Sequence, residues 1–328
     1  MPHRSKDLLL SLIVPVYNEE ATVTTLLKML DVSLRQCGLR SEIIIVDDGS
    51  SDGTWQTLEA LSAPDGATLK LIRFTRNFGK EAAIMAGIEV CQGDAAVVLD
   101  ADLQHPPDML QKMVELWRLG DAEVINAVKT DDRNAPGIDR LTSAWFNRVF
   151  RRFTGYDMRG ASDYKLLDRK VINALREVRD YHLFFRGTTA WLGFRHQEIG
   201  FPLGPRTSGN SKWNLLSRLR LAITAITSFT SLPLHLMTLV GLVSAVLAVL
   251  HAGYTLFNKF SGQAVEGFTT VILLLLIFGS TITLGLGIIG AYLSKIHDEV
   301  RSRPRYLIAE SQLKQGEATP TDADEQAG

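Results

Sequence analysis

Two long stretches of the sequence contain no charged residue, and they restrict the possible folds more than any other feature. Residues 221–258 and residues 267–294 lack Asp, Glu, Lys and Arg altogether. Each stretch exceeds the roughly 20 apolar residues that a helix needs to cross the hydrocarbon core of a bilayer. The sequence therefore predicts two transmembrane helices, at residues 231–258 and 267–294.

The charges beside these stretches predict their orientation. The only charged residues in the short connection between them are Lys259 and Glu266. Basic residues lie on the other two flanks: Arg218, Arg220, Lys295, Arg301, Arg303 and Arg305. Because positive residues favour the cytoplasmic side, both outer flanks are expected in the cytoplasm. We expect no signal peptide at the N-terminus, since the apolar run at 8–16 leads directly into Tyr17-Asn18-Glu19-Glu20 and not into a small-residue cleavage site. We therefore expect an inner (cytoplasmic) membrane protein whose two ends are both cytoplasmic.

The chain beyond the second stretch changes character. Residues 295–328 are basic at first and then acidic, with five acidic residues and one lysine from residue 310 onward. From residue 310 onward the segment is polar and has no aromatic residue, a composition typical of disorder. We predict that residues 295–328 form a cytoplasmic, disordered tail.

The first 130 residues alternate strand-like and helix-like runs. The strand-like runs lie at 8–16, 42–47, 69–74 and 95–99, and runs with helical spacing lie at 20–37, 54–61 and 80–91. This alternation predicts an α/β domain with a mostly parallel, Rossmann-like sheet covered by helices on both faces. We assign residues 1–205 to this domain and residues 206–230 to a basic juxtamembrane segment.

Polar clusters follow the predicted strands at the same relative position. They lie at residues 17–19, 47–50, 76–80 and 100–102, each directly after a strand. Ligands of open α/β sheets bind at the carboxyl ends of the strands. The four clusters are therefore expected to form one cleft.

The last cluster, Asp100-Ala101-Asp102, is a candidate metal site. Two carboxylates two residues apart point to the same side of an extended chain. Mg²⁺ is usually held by one or two carboxylates together with substrate phosphates. The pair Asp47-Asp48 is open to two interpretations, either a turn that precedes a capped helix or an acceptor for a ribose or a base.

The segment Arg206, Gly209, Ser211 and Lys212 is basic and flexible, and it also has two interpretations. Arg and Lys bind phosphates well. They also attract anionic lipid headgroups when they lie near a membrane. In the second apolar stretch, Gly279, Thr283, Gly287 and Ala291 recur every four residues. This small-residue stripe permits close packing, either between the two helices or between subunits of a homo-oligomer.

Four segments together resemble family 2 glycosyltransferases with a GT-A fold, and more narrowly the polyprenyl-phosphate glycosyltransferases. They are residues 11–20 (SLIVPVYNEE), 46–54 (VDDGSSDGT), 77–81 (NFGKE) and 100–107 (DADLQHPP). The resemblance covers about residues 8–300. It implies transfer of a sugar from a nucleotide sugar to undecaprenyl or dolichyl phosphate. Because one direct displacement by the lipid phosphate inverts the anomeric carbon, we expect inversion. UDP-glucose is our first choice of donor and GDP-mannose the second, and we expect no nucleic-acid partner.

The resemblance also implies roles for individual residues. The implied nucleotide-sugar site comprises Pro15, Tyr17, Glu19, Asp47, Asp48, Lys80, Asp100 and Ala101. Asp100, Asp102 and Gln104 are implied to hold Mg²⁺ or Mn²⁺. Arg206, Ser211 and Lys212 match an R-x-x-G-x-S-K segment at the phosphates, and Asp163 matches an acidic residue at the reaction centre, so Asp163, Asp102, Arg206 and Lys212 are the catalytic candidates. Where the family often has Gly-x-Arg, this chain has Ala127-Val128-Lys129, so the phosphate role falls to Lys129 or Arg133.

Two other functions compete with this interpretation. A processive polysaccharide synthase typically has more membrane helices and a Q-x-x-R-W motif, which this sequence lacks. A non-catalytic membrane scaffold would not need the intact Asp100-x-Asp102 pair.

Overall fold

The computed structural model describes residues 8–103, 107–129, 162–180, 183–201, 232–262 and 267–316. Eight strands are present in this part of the chain: β1 (Leu9–Val16), β2 (Arg40–Asp47), β3 (Ala67–Phe74), β4 (Ala95–Val98), β5 (Val124–Lys129), β6 (Lys165–Asp168), β7 (His196–Phe201) and β8 (Ile308–Gln315). The helices are α1 (Val23–Cys37), α2 (Thr54–Ala60), α3 (Lys80–Val90), α4 (Pro107–Leu119), α5 (Arg169–Glu177), α6 (Phe185–Trp191), α7 (Leu232–Phe260) and α8 (Phe268–Val300).

All eight strands belong to one sheet, in the order β7-β5-β6-β4-β1-β2-β3-β8. The central strands β4, β1, β2 and β3 are parallel to one another. Strand β6 runs antiparallel to both β4 and β5, and β7 is parallel to β5. The prediction of a mostly parallel α/β sheet is confirmed.

Each face of the sheet is covered by helices, as alternation along β1 requires. Leu12 and Val14 belong to the core that includes residues of α1 and α4, whereas Ile13 belongs to the core with α3 and α5. Helix α3 passes so close to β1 that a Cβ on Gly87 would lie 2.3 Å from Cγ2 of Ile13. This close packing places Lys80, the first residue of α3, beside the ends of the strands.

The described chain divides into two compact units. One contains the sheet and residues 304–316, and the other contains α7 and α8. Both of these helices are long and apolar enough to cross a membrane, over Pro233–Phe260 and Thr270–Val300. Both helices end later than predicted, at Phe260 and Val300, because each helix continues beyond its apolar stretch into the polar residues that follow it.

Within the helical unit, the predicted small-residue stripe lies along an open groove. Gly279, Thr283, Gly287 and Ala291 line it, together with Pro233 of α7. The small-residue stripe therefore lies on an open surface, where a neighbouring helix can pack closely.

The prediction of a disordered tail is wrong for residues 308–315. They form β8, which pairs antiparallel with β3 from Thr68↔Gln315 to Phe74↔Ile308. The polar composition is that of an edge strand whose side chains are largely exposed. Because one face of such a strand meets water, its composition resembles that of a disordered segment.

Candidate active site

The four polar clusters lie together at the carboxyl ends of the central strands. Two loops, those after β1 and β2, are joined where the Asn18 N–H donates to Ser50 Oγ and the Ser51 N–H donates to Asn18 Oδ1, each over 2.9 Å. Asn18 has a φ of 55°, which Asn tolerates better than most residues. Tyr17, which directly precedes Asn18, is 46% exposed.

Other predicted residues of the first loop are fixed by local contacts. Pro15 is buried within β1. The Glu19 N–H donates to Thr54 Oγ1 over 2.9 Å, and the Glu19 carboxylate accepts a hydrogen bond from Thr22 Oγ1. Glu19 therefore has a structural partner at each end of the residue.

Asp47, the last residue of β2, has one carboxylate oxygen in use and one open. Its Oδ1 accepts hydrogen bonds from the Ser50 N–H (3.0 Å) and Ser50 Oγ (2.5 Å). Among the described residues, no group donates a hydrogen bond to the buried Oδ2, and Arg73 Nε lies 3.6 Å away. Burial raises the pKa of Asp47 above its usual range. A buried acceptor without a donor is costly, so this oxygen is suited to receive an N–H group from a ligand.

Asp48 instead organises the loop before α3. Its carboxylate accepts the backbone N–H groups of Phe78 (2.7 Å) and Gly79 (2.9 Å). Gly79 has a φ of 100°, a conformation that favours glycine. The loop therefore turns into α3 at a point set by Asp48.

A cluster of alternating charges lies where α3, β4 and the start of β6 meet. Lys80 Nζ lies 2.6 Å from Asp100 Oδ1 and 2.5 Å from Asp163 Oδ2. On its other side, Asp163 accepts two hydrogen bonds from Arg186, from Nε over 2.6 Å and from Nη2 over 2.8 Å. The bidentate geometry fixes the Asp163 carboxylate in one orientation.

These two cations determine the charge of Asp163. Burial of the 5% exposed side chain would raise its pKa, but the hydrogen bonds and charges of Arg186 and Lys80 prevail and hold the pKa far below its usual range. Asp163 is therefore ionised at neutral pH and is a poor proton acceptor. Its position suits an electrostatic and positioning role.

Asp100 and Asp102 are placed so that both carboxylates remain partly accessible. They occupy the turn after β4, in which Ala101 is buried and Leu103 adopts a φ of 58°. The Asp100 oxygen that faces the Lys80 ammonium is in a position to accept a divalent cation instead. The pair therefore fits a metal site in its chemistry.

For several predicted site residues the structure does not describe the side chain. Lys129 ends β5, opposite Phe201 of β7, and its side chain lies outside the described residues. The same is true of the whole of Gln104, Arg133, Arg206, Ser211 and Lys212. Their roles remain predictions.

Two residues of the cluster were missed in the sequence. Arg186 comes from α6, about 100 residues after α3, and no spacing pattern links it to Asp163. Glu81 follows Lys80, and its carboxylate accepts the Phe185 N–H over 2.9 Å. Burial, followed by the negative charge of Asp163, raises the pKa of Glu81 to about 7.

Comparison with known proteins gives a consistent result. The model of the family described as glycosyl transferase family 2 matches residues 11–175. An uncharacterized glycosyltransferase of Bacillus subtilis (strain 168) is 34% identical, over 94% of this chain and 95% of that protein. The SfII prophage-derived bactoprenol glucosyl transferase of Shigella flexneri is 31% identical, over 92% of this chain and 98% of that protein.

A prophage bactoprenol glucosyl transferase homolog of Escherichia coli (strain K12) is 30% identical, over 91% of this chain and 98% of that protein. Among solved structures, glucosyl-3-phosphoglycerate synthase from Mycobacterium tuberculosis, in complex with Mn²⁺, UDP and its product, has a TM-score of 0.45 and 18% identity. That match covers 67% of this chain and 79% of the synthase.

Proposed function

The chain belongs to glycosyl transferase family 2 and is a glycosyltransferase, and we propose that it moves a sugar from a nucleotide sugar to a polyprenyl phosphate. The choice of a polyprenyl phosphate as the acceptor rests on the similarity to proteins named bactoprenol glucosyl transferase. The Shigella flexneri match leaves about 8% of this chain uncovered, which is fewer residues than either α7 or α8 contains. Those relatives therefore align with both apolar helices as well as with the sheet.

The donor would bind across the ends of β1, β2 and β4. The open Oδ2 of Asp47 supports this placement, because the heterocycles of nucleotides carry N–H donors. Asp100 and Asp102 would hold Mg²⁺ or Mn²⁺, together with Gln104. When bound, that metal neutralises charge on the leaving nucleoside diphosphate.

The side chains of the protein itself would position the donor and the acceptor for the transfer. Lys80 already lies beside Asp100, so its ammonium is in position to contact the donor diphosphate. The acceptor phosphate is ionised at neutral pH and needs no strong base, which agrees with the low proton affinity of Asp163. Catalysis would then depend on positioning and on charge stabilisation. A single displacement inverts the anomeric carbon, so we expect inversion.

The finer assignments follow from the same proposal. UDP-glucose is the first choice of donor and GDP-mannose the second. Arg206, Ser211 and Lys212 are proposed to contact the donor and acceptor phosphates, with Lys129 and Arg133 as further candidates.

A direct assay tests the proposal. The purified full-length protein is incubated with undecaprenyl phosphate and a panel of nucleotide sugars, with Mg²⁺ or Mn²⁺, and the lipid product is measured by mass spectrometry. We expect one polyprenyl-phosphate hexose, which is absent when Asp102→Asn is used as the control enzyme. Donor hydrolysis without a lipid product, across the whole panel, would refute the acceptor.

We also propose that α7 and α8 cross the membrane as a hairpin. Their length and apolar composition support this, as does the position of β8. Residues 304–316 follow α8, yet they pack in the unit that contains residues 8–103. Because a chain that returns to the same side has crossed an even number of times, two crossings agree with this connection.

The chain offers a convenient test of this topology. Its two cysteines, Cys37 and Cys91, are both buried, so a cysteine introduced as Ser261→Cys would be the principal accessible thiol. We expect an impermeant maleimide to label it in whole cells, and a reporter fused after Gly328 to be active only in the cytoplasm. Activity of that reporter outside the cytoplasm would refute the hairpin.

A further inference from the structure

The residues that follow the second apolar helix are bound to the sheet at several points. We use the name return segment for residues 304–316, which include β8. Near its start, Arg305 donates hydrogen bonds to the carbonyl oxygens of Asp180 (3.0 Å) and Val178 (2.5 Å). Near its end, Lys314 donates to the carbonyl oxygens of Glu59 and Leu61, at the end of α2. The return segment is therefore held at both ends.

Between these anchors, the return segment contacts the strand from which the loop before α3 departs. The ring of Tyr306 stacks on Phe74, the last residue of β3, with ring centres 4.7 Å apart and planes 14° apart. The Thr75 N–H donates to the Leu307 carbonyl oxygen over 3.0 Å. Phe74 in turn meets the ring of Phe78 edge to face at 5.8 Å.

The consequence reaches Asp48. The N–H groups that bind the Asp48 carboxylate belong to Phe78 and Gly79. Two ring contacts, Tyr306 with Phe74 and Phe74 with Phe78, therefore connect Tyr306 to the loop whose backbone N–H groups bind Asp48. The ring of Tyr306 and the Leu307 carbonyl together fix where this loop begins.

A second connection reaches Asp47. Arg73 Nη1 lies 3.4 Å from Glu310 of β8, and Arg73 Nε lies 3.6 Å from the open Oδ2 of Asp47. The guanidinium also lies over the ring of Trp55, 5.5 Å from its centre. Glu310 is about half exposed, so its ion pair adds little to stability. Its contact is with a guanidinium that also lies beside the open Oδ2 of Asp47, so it can act on the orientation of Arg73.

We propose that the return segment is a positioning element of the donor site. Through Tyr306 and Leu307 it sets the loop that binds Asp48, and through Glu310 it sets Arg73 beside Asp47. It would therefore control affinity for the nucleoside diphosphate part of the donor and not affinity for the lipid acceptor. This inference rests on the proposed function for the identity of the ligand, a nucleoside diphosphate.

The test compares variants of the full-length protein in detergent. Tyr306→Ala removes the ring, Tyr306→Phe keeps the ring and removes the hydroxyl, and Glu310→Gln keeps the size and removes the charge. Gln312→Ala is the matched control, because Gln312 lies on the same strand but bonds to Glu59 of α2. The dissociation constants of UDP and GDP are measured by calorimetry, together with KM for donor and acceptor and the melting temperature.

We expect Tyr306→Ala to raise the nucleotide Kd and the donor KM at least tenfold, while the acceptor KM changes less than threefold. Tyr306→Phe should stay within about twofold of the wild type and Gln312→Ala should match it. Glu310→Gln should raise the Kd about threefold or more with no fall in melting temperature. A lower melting temperature with an unchanged nucleotide Kd in both the Tyr306 and Glu310 variants would overturn the proposal, since β8 would then only complete the sheet.

The exposed position of Glu310 keeps the test decisive if Tyr306→Ala fails to fold. Nucleotide binding is measured without a lipid, so the comparison also survives an error in the acceptor. Wild-type binding without any transfer to polyprenyl phosphate would refute the proposed function alone.

Discussion

Glu81→Gln is expected to stabilise the protein at alkaline pH, since it removes a carboxylate that the fold holds beside Asp163. Burial raises the pKa of Glu81 from 4.5 to about 7, and the charge of Asp163 adds to the effect. Each pKa unit corresponds to about 1.4 kcal/mol, so the ionised carboxylate costs at most about 3.5 kcal/mol. Partial solvent access and the nearby N-terminus of α3, which favours an anion, reduce the expected cost to about 1–2 kcal/mol.

The sign of the pH dependence follows from proton binding. Between pH 4.5 and 7 the folded protein keeps a proton on Glu81 that the unfolded chain has released. The contribution of Glu81 to the free energy of unfolding therefore falls as pH rises through this window, and the full cost is present above about pH 7. Gln keeps an oxygen that can accept the Phe185 N–H, and it never ionises.

The measurement is thermal unfolding of the full-length protein in detergent at pH 5, 6, 7 and 8. At pH 8, Glu81→Gln should raise the melting temperature by about 2–8 °C, given about 2–4 °C per kcal/mol for a unit of this size. At pH 5 the two proteins should differ by less than about 1 °C, on the same scale. The control is Glu115→Gln, at an exposed position on α4. A gain that is the same at every pH, or a loss at pH 8, would show that Glu81 is not held with a raised pKa.

Three further predictions concern the site itself. Asp102→Asn should abolish transfer while the protein stays folded and in the membrane, and near wild-type activity in a chelator would contradict the metal role. Arg186→Met should remove one of the two cations beside Asp163 and cost about 2 kcal/mol of stability, less than the loss of a fully buried pair, because Arg186 is partly exposed. Arg186→Lys should recover part of the melting temperature, and an unchanged melting temperature in both variants would count against a stabilising ion pair. Lys212→Ala and Arg206→Ala should each cost a few kcal/mol of transition-state stabilisation in kcat/KM at low and high salt, whereas a loss of about 1 kcal/mol that fades with salt would leave them as headgroup-attracting charges.

The parts of the fold that were predictable are those set by local patterns. Alternating strand and helix periods predicted the parallel sheet, and the rule for strand ends placed Lys80 and Asp100 in one cleft, where they are in contact. Arg186 was not predictable in this way, because its partner Asp163 lies in a different element and a single arginine has no periodic signal. Strand β8 was missed because an edge strand needs polar and charged residues on its exposed side, which gives it the composition of a disordered tail.

The pairing of β3 with β8 has a consequence for the order in which the protein can be completed. More than 230 residues separate the two strands, and both apolar helices lie between them. At roughly 5–20 residues per second, synthesis of that interval takes on the order of 10–50 seconds. Throughout it, one edge of β3 has no strand to pair with, although Leu69 and Leu71 are already committed to the core. The β3 edge is therefore where a nascent chain is most open to pairing with another copy, and both α7 and α8 are synthesised before the strand that closes it.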